Sequence, residues 1–194
     1  MSRTESTMVQ LGTVAPAFEL PDAVSGKAVG RDDLAAGAKG LLLMFLCVHC
    51  PYVKHVEEEI ARIGRDYFDA GKGPIAMAAI MANDVAHYPE DSPEKMKQQA
   101  VRLGWQFPYL YDETQEVARE YDAACTPDFF LFDAEMKLVY RGQLDDSRPR
   151  RKDSGNDIPV TGKDLRAALD AVIAGKRPDP NQTSSIGCNI KWRS

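Results

Sequence analysis

The stretch from Leu41 to Val53, which reads Leu-Leu-Leu-Met-Phe-Leu-Cys-Val-His-Cys-Pro-Tyr-Val, constrains this chain more than any other. An uninterrupted apolar run of this length reads as a strand buried on both faces. Beyond it Val53, Val56, Ile60, Ile63 and Tyr67 recur at steps of three and four, with Glu57, Glu58 and Arg62 between them, which is one face of a helix. Pro51 suits the first helical turn, where its missing N–H costs nothing. Cys47 and Cys50 therefore flank a strand-to-helix turn. Unpaired backbone N–H groups and the positive end of a helix favour an anion there, and a thiolate is the anion on offer. Free cysteine has a pKa of about 8.5, and this setting lowers it into a range of roughly 3.5 to 7.5. The first cysteine of such a motif is normally the more exposed, so Cys47 is expected as the attacking thiolate and Cys50 as the resolving thiol. His49, immediately before Cys50, is a supporting candidate as a partly protonated imidazole beside the pair.

Composition narrows the setting. A net charge of −5 argues against nucleic acid or an anionic membrane as partner, since phosphate contacts need clustered Lys and Arg. The polar start Met1 to Thr7 lacks the apolar core of a secretory signal, and no apolar run approaches the roughly 20 residues needed to span a bilayer. A cytoplasmic protein is the expectation. Four cysteines in 194 residues do not make a disulfide scaffold, so a close pair reads as redox or metal chemistry. No organic cofactor is implied. Cys-x-x-Cys is also half of a zinc site, which leaves open a metal-binding module held by Cys47 and Cys50, with or without Cys188; no second such pair is present, and only Cys125 and Cys188 could serve from a distance.

Along the chain, Gly12 to Leu20 with turn signals at Pro21-Asp22 and Ser25-Gly26-Lys27 reads as an N-terminal hairpin, followed by a helical turn near Asp32 to Ala36. After the central strand and its helix, Ile75 to Met81 is a second buried strand, parallel to the first through a right-handed crossover. Ser92-Pro93-Glu94 starts a helix that Gly104 stops. Phe107 to Tyr111 reads as a strand and Thr114 to Tyr121 as a short helix. Phe129 to Phe132 and Lys137 to Gln143 form an antiparallel hairpin, a charged loop spans 145–157, and a last helix runs from Gly162 to Ala174. The expected organisation is a flexible N-terminus over 1–11, one α/β domain over 12–175, and a tail over 176–194. Ile186, Ile190 and Trp192 make that tail too apolar to be purely solvated, which leaves two readings open: a tail docked near the dithiol, or one anchored elsewhere whose Cys188 is only buried.

A buried strand, Cys-x-x-Cys, a helix, a second buried strand, then Thr126-Pro127 leading into a hairpin and a final helix resembles the thioredoxin fold. The extra strand and helix between Ile75 and Tyr121, with the N-terminal hairpin, are similar to the peroxiredoxin-like branch, the alkyl hydroperoxide reductase and thiol-specific antioxidant (AhpC/TSA) redoxins. The motifs Cys47-Val48-His49-Cys50-Pro51-Tyr52-Val53, Cys125-Thr126-Pro127-Asp128-Phe129-Phe130 and Ile186-Gly187-Cys188-Asn189-Ile190-Lys191-Trp192 resemble an uncharacterised redoxin subgroup. The resemblance implies a mixed central sheet flanked by helices, and a Pro127 that is cis, packs beside the cysteines and presents backbone to an extended substrate segment. It also implies a thiol-disulfide oxidoreductase acting on a protein disulfide or thiol and reset by an external thiol. The alternative is a hydroperoxide reductase acting on peroxide. Peroxiredoxins carry Pro-x-x-x-Thr-x-x-Cys, and here Leu43 and Cys47 stand at the proline and threonine places, so the motif lacks its hydroxyl. Arg141 is a candidate for the arginine that lowers the thiolate pKa in that family. Cys125 and Cys188 are candidate additional thiols, Cys188 as a second resolving thiol carried in by the tail.

Overall fold

The computed structural model describes residues 3–150 and 155–193. Residues 1–2 of the expected flexible terminus, 151–154 of the charged loop and 194 of the tail lie outside these. The fold is built on strand β4 (Gly40–Phe45), all six of whose residues are buried. It pairs in parallel with β5 (Ile75–Met81) on one side and antiparallel with β8 (Asp128–Asp133) on the other. A strand enclosed in this way has no solvated face, hence its unbroken apolar sequence.

The sheet is completed by β6 (Tyr109–Tyr111), parallel to β5, and β9 (Leu138–Gly142), antiparallel to β8, in the order β6-β5-β4-β8-β9. Alternate residues of β4 feed two cores. Leu42 and Met44 pack with Val53, Val56 and Ile60 of α2 (Pro51–Ile63), Met96 and Ala100 of α3 (Pro93–Leu103), and Leu165 and Leu169 of α5 (Lys163–Ile173). Leu41, Leu43 and Phe45 pack on the other face with Val117 and Ala118 of α4 (Glu116–Glu120) and Leu34 of α1 (Arg31–Ala35). Burying each large side chain fully stabilises the fold by about 1.5–3 kcal/mol, so β4 is its chief apolar anchor. This is the mixed sheet with helices on both faces of the thioredoxin fold.

Local signals in the chain find their places. The N-terminal hairpin is β2 (Glu19–Pro21) paired with β3 (Ala28–Gly30). Gly104 closes α3 in the left-handed region, φ 64°, where a side chain would be strained. Helix α2 does not hold α geometry as far as Tyr67: the winding widens to one π turn over Gly64–Phe68, and an added Cβ on Gly64 would come within 2.9 Å of the Phe107 ring.

The chain ends meet in a second sheet, ordered β1-β10-β7, with β1 (Arg3–Glu5), β10 (Ile186–Asn189) and β7 (Cys125–Thr126). Both pairings are antiparallel, with Arg3 opposite Cys188 and Cys188 opposite Thr126. Residues 3–5, within the segment expected to be flexible, are thus paired. Three alternately exposed residues carry no periodic signal of their own and take their conformation from the strand beside them.

Candidate active site

The sheet delivers Cys47 and Cys50 to one end of the domain. Leu46 extends β4 by one hydrogen bond, from its N–H to the Ile80 carbonyl (2.9 Å), and the chain then turns through Cys47, Val48 and His49. Cys50 is the N-cap of α2, with extended backbone angles (φ −66°, ψ 126°) and Pro51 in the first turn. Residues from two other segments complete the site. The Thr126 hydroxyl lies 3.2 Å from Cys47 Sγ, the Thr126 carbonyl 3.2 Å from Cys50 Sγ, and Cys188 Sγ on β10 lies 2.9 Å from Cys50 Sγ. All three sulfur-bearing residues are at most 2% exposed.

The surroundings of the two sulfurs push them in opposite directions. Cys50 is held well below a free thiol's pKa, first by the hydrogen bond from Cys188, then by that from Cys47, with the Val53 N–H of the first helical turn adding to them against the cost of burial. Cys47 is pushed well above its ordinary value, first by burial, then because its proton is engaged by Cys50, with the negative charge of Asp91 acting in the same direction. The Thr126 hydroxyl only partly offsets this. These surroundings favour the negative charge on Cys50 rather than on Cys47, where motif order places it. Motif order carries no sign of this, because the strongest donor to Cys50 is a cysteine from the far end of the chain.

The turn between the cysteines is fixed by Asp91, a fully buried carboxylate. Its Oδ1 accepts the N–H groups of Val48 (2.8 Å) and His49 (3.1 Å), and its Oδ2 meets His49 Nδ1 at 2.6 Å and accepts from Asn83 Nδ2 at 2.7 Å. The His49 ring stacks on Tyr88, with centroids 5.8 Å apart and planes 8° from parallel. The hydrogen bond to Asp91, opposed by burial and reinforced by the charges of Asp91 and Glu90, raises the His49 pKa. Burial works to raise that of Asp91, but the hydrogen bonds from His49 and Asn83 hold it below its ordinary value.

The stability carried by this pair has two pH limits. The raised His49 contributes fully below its unfolded value near 6.5 and loses this as pH rises through its folded value. The depressed Asp91 contributes fully above its unfolded value near 3.8 and loses this as pH falls through its folded value. Histidine NMR should show His49 titrating above 6.5, and Asp91→Asn should bring it back toward that value. A His49 that titrates unchanged in the variant would break the link.

The other sequence candidates separate. Pro127 follows Thr126 through a cis peptide bond. Thr126 brings to the pair the hydroxyl that the motif itself lacks, placed on Cys47. Cys125 is buried, its sulfur contacts the Pro127 carbonyl at 3.6 Å, and burial raises its pKa, so it is a packed thiol. Arg141 does not serve the sulfurs: it donates to the Val9 carbonyl (2.8 Å) and to Gln182 Oε1 (2.7 Å), fastening chain segments to β9. Cys47, His49 and Asp91 could offer three metal ligands within 4.8 Å of one another, a set that includes neither Cys50 nor Cys188. A metal there would have to displace the hydrogen bonds that hold Asp91 and the turn.

Asp91 and Asn83 were not among the residues singled out from sequence. The adjacent Ser92-Pro93 helix start was the only local signal, and it marks a loop end rather than a site.

Comparison with known proteins bears on the family and the fold. A family model described as the AhpC/TSA family matches residues 11–141. No curated protein matches the chain in sequence. The crystal structure of an uncharacterized conserved protein from Geobacillus kaustophilus is 53% identical, with a TM-score of 0.92 over 100% of this chain and 97% of that one. That of a hypothetical protein from Sinorhizobium meliloti 1021 is 44% identical, with a TM-score of 0.91 over 98% of this chain and 99% of the other. The thioredoxin domain of a thiol-disulfide oxidoreductase from Bacteroides vulgatus shares the fold at 19% identity, with a TM-score of 0.54 over 69% of this chain and 88% of that one. No helix among the described residues is long and apolar enough to cross a membrane.

Proposed function

Because this chain belongs to the AhpC/TSA family of thioredoxin-like redox proteins, we propose that it is a thiol-disulfide oxidoreductase in which Cys50 is the nucleophile and Cys47 the resolving thiol. The observation that carries this reading is the Cys50 sulfur at the start of α2, with Cys188 2.9 Å away and the Cys47 thiol donating to it. The Cys50 thiolate attacks one sulfur of a substrate disulfide, forming a mixed disulfide and releasing the other sulfur as a thiolate. Cys47 then loses its proton and attacks Cys50, closing Cys47–Cys50 and releasing the second substrate thiol. An external dithiol restores the reduced pair. The Thr126 hydroxyl on Cys47 is placed to pass that proton, and the Asp91 carboxylate holds the turn so that the two sulfurs stay in reach.

A second reading, reduction of a hydroperoxide, is favoured by the complete burial of Cys50, which a small molecule reaches more readily than a protein does. Attack of the Cys50 thiolate on one peroxide oxygen breaks the O–O bond, leaving Cys50 as a sulfenic acid and releasing the other oxygen as an alcohol or water; a neighbouring thiol then condenses with the sulfenic acid as water leaves. Steady peroxide consumption with a thiol reductant, exceeding the rate with any disulfide, would select it.

Trapping tests the principal reading. A variant with both Cys47→Ser and Cys188→Ser, exposed to oxidised glutathione, should accumulate a one-to-one adduct on Cys50, because neither neighbouring thiol remains to resolve it. An adduct found on Cys47 in Cys50→Ser, with none on Cys50 in the double variant, would contradict these roles.

A further inference from the structure

The edge of β7 that leads into Pro127 is the backbone on which a thioredoxin-like protein would receive an extended substrate segment, and here the chain's own end occupies it. Strand β10 lies against β7 with Cys188 opposite Thr126 and Asn189 opposite Cys125, and the ladder continues from the Ile190 N–H to the Ala124 carbonyl (3.1 Å). The approach is close: an added Cβ on Gly187 would come within 2.0 Å of the Thr126 carbonyl oxygen, so glycine is required for the strand to lie this deep. On its other edge β10 is paired with β1.

Past the strand, Lys191 donates its N–H to Asn83 Oδ1 (2.9 Å), and its carbonyl accepts from the Asp84 N–H (2.9 Å) and Gln115 Nε2 (2.8 Å). The Arg193 N–H reaches Gln115 Oε1 (2.8 Å), and the Arg119 guanidinium lies 4.5 Å from the centre of the Trp192 ring. Both sides of Cys188 are therefore fastened to the body of the domain. The sulfur they deliver lies 2.9 Å from Cys50 Sγ, on the nucleophile itself.

We propose that Cys188 is the third thiol of an internal relay, taking the disulfide from Cys47 and parking it between Cys50 and the C-terminal strand. The proposal rests on the oxidoreductase reading, which supplies the Cys47–Cys50 disulfide at the substrate's expense. The step is a thiol-disulfide exchange. The Cys188 thiolate attacks Cys50 Sγ, the Cys47–Cys50 bond breaks as the Cys50–Cys188 bond forms, and Cys47 leaves as a thiolate that takes up the proton Cys188 gave up. One S–S bond replaces another, no electrons enter or leave, and no further oxidant is required. Thr126, whose hydroxyl lies on Cys47 and whose residue faces Cys188 across the ladder, spans the proton's path. The exchanged form ties the strand covalently to the start of α2, and the external reductant then acts on Cys50–Cys188.

Disulfide mapping decides it. The full-length protein is oxidised with oxidised glutathione, free thiols are alkylated, and the chain is digested without reduction for mass spectrometry. The expected product joins Cys50 to Cys188, with the alkyl label on Cys47, in several-fold excess over Cys47–Cys50. Cys188→Ser should instead accumulate Cys47–Cys50. Wild-type protein that holds Cys47–Cys50 with Cys188 alkylated, or Cys188 joined to Cys125, overturns the relay and leaves the oxidoreductase reading standing. The absence of any disulfide at Cys50, in the wild type and in Cys188→Ser alike, removes both.

Discussion

Cys50→Ser should lower turnover with a disulfide substrate by about three to six orders of magnitude, the scale on which removal of a nucleophile is felt. A serine hydroxyl at the same N-cap would not ionise near neutral pH, and burial would make its ionisation harder still. Cys47→Ser should behave differently. Its hydroxyl can replace the Cys47 thiol as donor to Cys50, so the anion and the first attack survive and the loss falls on resolution. In pre-steady-state kinetics with a chromogenic disulfide, Cys47→Ser should keep a rapid first release of thiol that Cys50→Ser lacks. The reverse pattern would restore Cys47 as the attacking sulfur.

Asp91→Ala should be the most destabilising single polar substitution near the site, costing about 3–5 kcal/mol, as expected when one member of a buried, hydrogen-bonded ion pair is removed. The change strands four donors at once: the Val48 and His49 N–H groups, the His49 ring and the Asn83 amide. Asp91→Asn keeps the shape and some of the hydrogen bonds, but its amide can accept only at one oxygen, so it should cost less. It should also lower the Cys47 pKa, because the Asp91 charge that raises it is gone. Denaturant unfolding of both variants checks the first expectation. Equal stability of Asp91→Ala and the wild type would mean that the carboxylate does not hold the turn.

What could be read from the residues was whatever is encoded locally. The apolar run Leu41 to Phe45 announces an enclosed strand, Pro51 the start of α2, Ser92-Pro93 and Gly104 the two ends of α3, and the Phe129 to Gln143 segment a hairpin that forms as β8 and β9. The cysteine pair at the strand-to-helix turn pointed to the site, and the apolar residues near Cys188 pointed to a docked tail. Pairings between distant segments could not be read. Nothing in Arg3 to Glu5 or Ile186 to Asn189 shows that they share a sheet with Cys125 and Thr126.

The surroundings of the two sulfurs could not be read for the same reason, since Cys188, the strongest donor to Cys50, stands 138 residues away. Asp91 was passed over because an aspartate before a helix start is ordinary in any loop, and only its burial against the cysteine turn sets it apart. Arg141 shows the converse. Its place near a strand end suggested the site, and its actual partners are Val9 and Gln182.

The account rests on Cys50, and not Cys47, carrying the negative charge in the reduced protein. Thiolate absorbance in the ultraviolet reads this directly and does not depend on whether a reagent can reach a buried sulfur. Near neutral pH the reduced wild type and Cys47→Ser should both show about one thiolate per chain, with no titration as pH rises toward the value of about 8.5 at which a free cysteine ionises. Cys50→Ser should show none. A thiolate that survives in Cys50→Ser and vanishes in Cys47→Ser would contradict it.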